Sequence, residues 1–445
     1  MLVLRQQNGS LGCTIKILNF APFLRSIPFT IYASSFGGKM VRALLLAIVW
    51  ISAMGLAILT ASADSISEKA RKLHFSSVVV DTHDDTTQRF LDGKFDLGVR
   101  SAAGSIDIPR MKEGGLGAIF FSIWIPSKIT GPEAVNRALV QIDAVREQVR
   151  KHSNDIVLAA TAAEIREAHK QGKIAALMGV EGGHMINSDL GVLRSYAALG
   201  VRYMTLTHSG NDEWADSSTD KAVHNGLTNF GKDVVREMNR LGVMVDISHV
   251  SDKTFYDALE TSKAPLIASH SSCRAICAAP RNMTDQMMKD LAAKGGVVQI
   301  NYHVGFLSQE FRDAEKANPE MNKAISAEVT KRCGDNEGCQ LIEGDRITRE
   351  YVEQGKLPRV DFARIIEHID HAVKVAGIEH VGLGSDFDGA NMPYGMEDAT
   401  KLPKITEALL QKGYSEGDVK RILGENTLRV MTEVERVSRE LNAGK

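Results

Sequence analysis

His83, Asp85, Glu181, His208, His249, His270 and Asp386 each stand where a short apolar run of the chain stops. Imidazole nitrogens and carboxylate oxygens make a mixed donor set that suits borderline divalent ions, Zn2+ among them. His83 and Asp85 are i and i+2 in Asp81-Thr82-His83-Asp84-Asp85, so both leave one side of an extended chain. They could chelate one ion while Asp84 faces away. Glu181 could bridge through its two oxygens to a second ion held by His249 and His270. Two ions that share a water lower its pKa and clamp an attacking oxygen. Taken singly, a histidine at a strand end is more often a hydrogen-bonded structural group, and an aspartate there a cap or turn former. The joint pattern carries the weight, because four of the 13 histidines fall at such ends. His303 also ends an apolar run but leads straight into a long polar segment and reads as structural. His184, His368, His371 and His380 read as surface or supporting groups, Trp214 and Tyr302 as core, Asp107 as structural and Asp388 as a turn residue.

Eight β-rich runs must position these groups: 78–83, 118–125, 175–183, 203–208, 243–249, 265–270, 297–303 and 380–389. They are near-continuously apolar, as parallel strands covered on both faces are. Amphipathic stretches at 134–151, 229–241 and 251–261 lie between them, the last with Ser251 as N-cap. Strands alternating with helices predict an α/β chain, a (β/α)8 TIM-like barrel whose C-terminal strand ends gather the metal site. A doubly wound open sheet is the runner-up, weakened by the lack of a Gly-rich phosphate loop after the first strand. The segment 306–358 is too long for a simple connection and reads as a helical insertion over the barrel mouth. Residues 427–445 read as a charged amphipathic helix.

The N-terminus is separate from that fold. Residues 1–39 carry no pattern and read as an unstructured or non-native extension. From Met40, a basic start, an apolar run over Ala43 to Leu59 and Ala61-Ser62-Ala63 make a signal peptide over 40–63, with a retained membrane anchor as the alternative. The mature domain is then 64–445. Cys333 and Cys339 flank a polar loop and could close it as a disulfide in an exported chain, the alternative being two free thiols. A net charge of −2 supplies no basic surplus for nucleic acid or anionic lipid, so a small-molecule partner is favoured.

Six ordered motifs deepen the reading: DTHDD at 81–85, the run at 179–217 that opens GVEGGH, VDISHVS at 245–251, IASHSSCRAI at 267–276, RNMTD at 281–285 and HVGLGSDFDG at 380–389. Over 78–389 the chain resembles the membrane (renal) dipeptidase family of zinc peptidases, within the amidohydrolase-like barrels. The resemblance implies two zinc ions per chain, the first on His83 and Asp85, the second on His249 and His270, with Glu181 between. It implies that His208 polarises the scissile carbonyl, that Arg281 holds the substrate's C-terminal carboxylate, and that Asp386 contacts the substrate amine and shuttles a proton. A metal-bridging hydroxide would attack the peptide carbonyl of a dipeptide, L-Xaa-D-Xaa included. Without the resemblance, Arg281 would read as a surface ion pair beside Asp285.

Thr82, Asp84 and Thr86-Thr87 depart from the mammalian-type first motif, which has Gly, Asn and Leu-Pro there. The H-x-D ligands are kept, so the departures bear on pocket wall and substrate preference. The polar C-terminus also differs from the lipid-anchored mammalian enzymes and points to a bacterial periplasmic or secreted setting. A binuclear hydrolase of another small amide, lactone or ester is the competing activity, and a binding protein on a decayed barrel the non-enzymatic one. Membrane contact depends on retention of the apolar N-terminal segment, and a homodimer is left open.

Overall fold

The computed structural model describes residues 2–7, 10–15, 30–31 and 66–444. The first three segments pair as a small antiparallel sheet, which the sequence pattern did not announce. The signal segment expected over 40–63 lies outside the described residues. Among the described residues no helix is long and apolar enough to cross a membrane.

The rest of the chain is built on nine parallel strands: β1 (Val79–Asp84), β2 (Leu116–Trp124), β3 (Ile156–Leu158), β4 (Ile174–Glu181), β5 (Val201–Thr205), β6 (Met244–Asp246), β7 (Ile267–Ala268), β8 (Val297–Ile300) and β9 (Val381–Leu383). Eight of them run in the order β9-β8-β7-β6-β5-β4-β2-β1. Asp84 bridges Phe387, and Asp386 N–H donates to the His83 carbonyl, so the two edges meet and close the barrel. All eight runs named from the sequence form these strands. The ninth, β3, was missed: it pairs only with β4, is three residues long, and leaves Val157 exposed.

Burial on both faces explains the apolar runs. Every residue of β4 is buried, and all of β2 but Trp124. Local chemistry sets the helix limits. Ser251 caps Asp252–Thr261 by accepting from Thr254 N–H, and Thr228 with Gly242, in the left-handed region, brackets Asn229–Leu241. Asp107 caps Ile108–Glu113, the structural duty expected of it. The C-terminal helix Asn426–Ala443 buries Leu428, Val430, Met431 and Val434 in one cluster with Val80, Phe120, Leu177 and Tyr203.

The segment 306–358 contains the helices Gln309–Ala317, Pro319–Cys333 and Glu337–Glu353. Cys333 and Cys339 form a disulfide between the last two.

Candidate metal centre

The strand ends bring the expected donors together. Glu181, at the end of β4, turns Oε2 to His83 Nε2 at 3.4 Å and Oε1 to His249 Nε2 at 2.8 Å and His270 Nε2 at 3.3 Å. One carboxylate thus faces a different histidine set with each oxygen. Asp85 Oδ1 stands 3.7 Å from His83 Nε2, and Asp386 Oδ1 4.0 Å. His208 Nε2 lies 3.8 Å from Glu181 Oε1. Asp84 turns away, its carboxylate bonded to Thr86.

The backbone is bent to make this geometry. Pairing of β1 with β2 slips between Asp81 and Asp84, so His83 sits in an irregular stretch. His249 and Asp386 hold φ of 69° and 65°, a left-handed conformation that costs a side-chain-bearing residue of order 1 kcal/mol or more. Such strain is kept where the surrounding structure over-determines it. Gly389 is required by space, since a Cβ there would fall 1.8 Å from Asp85 Oδ2 and 2.9 Å from Asp386 Oδ1.

Whether cations fit can be judged from the donors themselves. His83 Nε2 and Asp85 Oδ1 are buried with no hydrogen-bond partner, which is costly for polar atoms unless another ligand satisfies them. His249 Nε2 and His270 Nε2 are 3.0 Å apart and face one carboxylate oxygen. Burial, aided by the Arg281 charge for His249 and by His83 for His270, holds both imidazoles well below their ordinary pKa, so they are neutral lone-pair donors. Two facing lone pairs and a carboxylate call for a shared cation. Burial pushes the Glu181 carboxyl up, but the neighbouring histidines, His83 and His208 foremost, together outweigh it and hold the group well below the usual range. The donor set fits divalent ions on either side of Glu181.

Asp85, Glu181, His208, His249, His270 and Asp386 line a cavity of about 290 Å³ with Arg281, Trp124, His303, Phe306 and Leu341. Arg281 is buried, not the surface residue that spacing alone suggested, and Asp285 pairs instead with His371. Its Nη2 donates weakly to the His270 carbonyl at 3.3 Å, while Nε and Nη1 have no partner. The guanidinium lies 5.4 Å from the Phe306 ring centroid. Asp386 accepts from Asn301 Nδ2 at 2.9 Å, which fixes one oxygen and leaves the other toward the donors.

Sequence reasoning passed over several residues. Trp124 ends β2, the one early strand given no role, and reaches the cavity. His303 also lines it, besides accepting from Asn391 N–H. Asp388 does more than turn the chain: it is buried, pairs with Arg89 at 2.9 Å and accepts from Thr86 and Ser105. His368 is neither surface nor near the donors; it is buried between Cys273 N–H and the Leu307 carbonyl.

A closed parallel barrel with a carboxylate-centred double histidine set at its C-terminal rim defines a metal-dependent hydrolase. The family can be named. Residues 67–445 match the family model of membrane dipeptidase, peptidase family M19, and the chain belongs to that family. It is 33% identical over 396 residues to dipeptidase verJ of Clonostachys rogersoniana, covering 85% of this chain and 89% of that one. Dipeptidase tcpJ of Claviceps purpurea is 34% identical over 351 residues, covering 76% and 71%. Among solved structures, the probable dipeptidase PvdM of Pseudomonas aeruginosa superposes with a TM-score of 0.71 at 26% identity, covering 83% and 98%. A Rhodobacter sphaeroides metallo peptidase liganded with a phosphinate mimic of L-Ala-D-Ala gives 0.67 at 26% identity, covering 80% and 99%.

Proposed function

We propose that this chain is a zinc-dependent dipeptidase with two ions per chain. The carrying observation is a buried, half-unpartnered Arg281 in the same cavity as the split Glu181 carboxylate. A buried guanidinium without a carboxylate is costly, and a substrate's free C-terminus supplies one in a planar, two-pronged match. Arg281 therefore sets the substrate's length and register, and a 290 Å³ cavity suits something as small as a dipeptide.

His83 and Asp85 would hold one ion, His249 and His270 the other, with Glu181 shared. Bound there, the pair supplies Lewis acidity and an acidified water. The side chains do the rest. His208, at the cavity edge beside Trp124 and His249, donates to the carbonyl oxygen as it gains charge. Asp386, anchored by Asn301, receives a proton from the nucleophile's side and returns it to the departing amine. The phosphinate complex of the Rhodobacter sphaeroides relative supports including dipeptides that end in a D-residue. The disulfide supports an exported mature chain, because such bonds persist in oxidising compartments.

The test is a dipeptide screen of zinc-loaded protein, with Arg281→Ala beside it. A charge-assisted bond of about 1.5–3 kcal/mol predicts KM raised about 10–100-fold for free dipeptides. C-terminally amidated dipeptides and the ion content should be unmoved. Faster wild-type turnover of uncharged esters than of any free dipeptide would move the assignment to another bond.

A further inference from the structure

Asp246, at the end of β6, is fully buried and accepts four hydrogen bonds. Oδ1 takes the backbone N–H of Ser248 at 3.0 Å and of Ser269 at 2.8 Å. Oδ2 takes the hydroxyls of Ser269 at 2.6 Å and of Thr205 at 2.5 Å. Counting protons gives these contacts a direction. Ser269 has one hydroxyl proton, and it goes to Asp246. Ser269 Oγ is also 2.8 Å from His270 Nδ1, so there the imidazole must be the donor. His270 is then the Nδ1–H tautomer, and its Nε2 lone pair faces Glu181.

His83, on the other side of Glu181, has a partner of its own: its Nδ1 is 2.9 Å from the Tyr203 hydroxyl. Gly179 makes room for the tyrosine, since a Cβ there would fall 1.9 Å from its Cζ. The Nδ1 proton of His270 is thus handed through one hydroxyl to a buried carboxylate, whereas His83 meets a phenol.

We propose that Asp246 is a positioning residue of the metal centre, fixing through Ser269 the tautomer by which His270 presents Nε2 to a cation. Groups behind metal ligands orient the ring and settle its tautomer; here the carboxylate does so at one remove. The inference rests on the metal-centre reading above.

The experiment is zinc titration of the full chain against a competing chelator, with ions counted per chain and the melting temperature of the metal-free protein recorded. Asp246→Asn keeps a carbonyl acceptor for the two N–H groups but replaces the other oxygen by a donor, which reverses the hydroxyl chain. The ion on the His270 side should weaken about 10–100-fold while the other holds. Ser269→Ala, which keeps the Asp246 charge, should do the same. Wild-type affinity at both positions in Asp246→Asn overturns the inference, as does equal loss at both. Should Asp246→Asn not fold, Ser269→Ala decides: weakened binding of one ion supports the inference, and undiminished binding overturns it. A wild-type chain that binds two ions beside an indifferent Asp246→Asn sinks the positioning role alone. A wild-type chain that binds none sinks the metal centre and this inference together.

Discussion

The floor and the roof of the cavity are built on opposite principles. On the floor, His83, Asp85, Glu181 and His270 are buried at strand ends, and Tyr203, Ser122 and Ser269 tie down His83, Glu181 and His270 in turn. On the roof, the helix Pro319–Cys333 has no buried residue at all. It is dressed with surface ion pairs such as Arg332–Glu343 and Arg332–Glu328, which contribute little to stability. Only Phe306 and Leu341 bring the roof segment to the cavity. Chemistry that needs sub-ångström placement sits where packing enforces it, and substrate-side contact sits where the chain is free to vary.

Breaking the floor should therefore cost far more than altering the roof. Glu181→Gln removes the shared charge and should lower kcat/KM by about 10⁴-fold or more, as loss of one member of a catalytic unit does, with ion content falling too. Elemental analysis beside a dipeptide assay checks both. His208→Ala should keep both ions and lose about 10²–10³-fold in kcat with little change in KM, the pattern of a donor that acts on developing charge. A larger change in KM than in kcat would recast His208 as a ground-state binding group.

The same contrast governs what could be read from the sequence. Strand ends were legible because period, apolar runs and metal-ligand chemistry all converge there: the eight barrel strands form where the apolar runs lie, and His83, Asp85, Glu181, His249 and His270 all fall in clusters that could hold a metal ion. Residues that act through a neighbour were not. Tyr203 and Asp246 lie inside apolar runs and look like any strand residue until the barrel brings them beside His83 and His270. Phe306 and Leu341 escaped because a roof has no period to betray which side faces inward. The short β3, whose burial alternates and which pairs at one edge only, carried too weak a pattern to count.

Away from the cavity, two buried histidines sharpen the comparison through pH. His74 lies between Thr406 and the Gly114 carbonyl, and His368 between Cys273 N–H and the Leu307 carbonyl. Each ring accepts at Nδ1 and donates at Nε2, so a second proton has no place. Burial, only partly offset by the carbonyl bond, lowers each from 6.5 to about 4. Between those values the unfolded chain binds more protons than the folded one, so this stability is intact above pH 6.5 and drains away as pH falls toward 4. Each contributes at most about 3 kcal/mol. Urea midpoints of wild type and His74→Gln should differ less at pH 4.5 than at pH 7, and an equal gap at both would refute the linkage.

The smallest effect belongs to the roof, and it separates its two contacts from its staple. Leu341→Ala enlarges the cavity without touching a donor, so ion content should hold while the preference among dipeptide side chains flattens. One leucine edge in a substrate pocket is worth about 1–3 kcal/mol of discrimination between substrates, about 10–200-fold in the ratio of kcat/KM values. Cys333→Ser acts at one remove. The disulfide joins a helix with no buried residue to the partly buried helix that carries Leu341, so its loss loosens that helix and leaves the barrel as it was. It should shift KM by less than about 10-fold, in the same direction as Leu341→Ala, with kcat and zinc stoichiometry unchanged. Loss of zinc from the Cys333→Ser protein would show that floor and roof are one cooperative unit, and the division of labour drawn between them would fall.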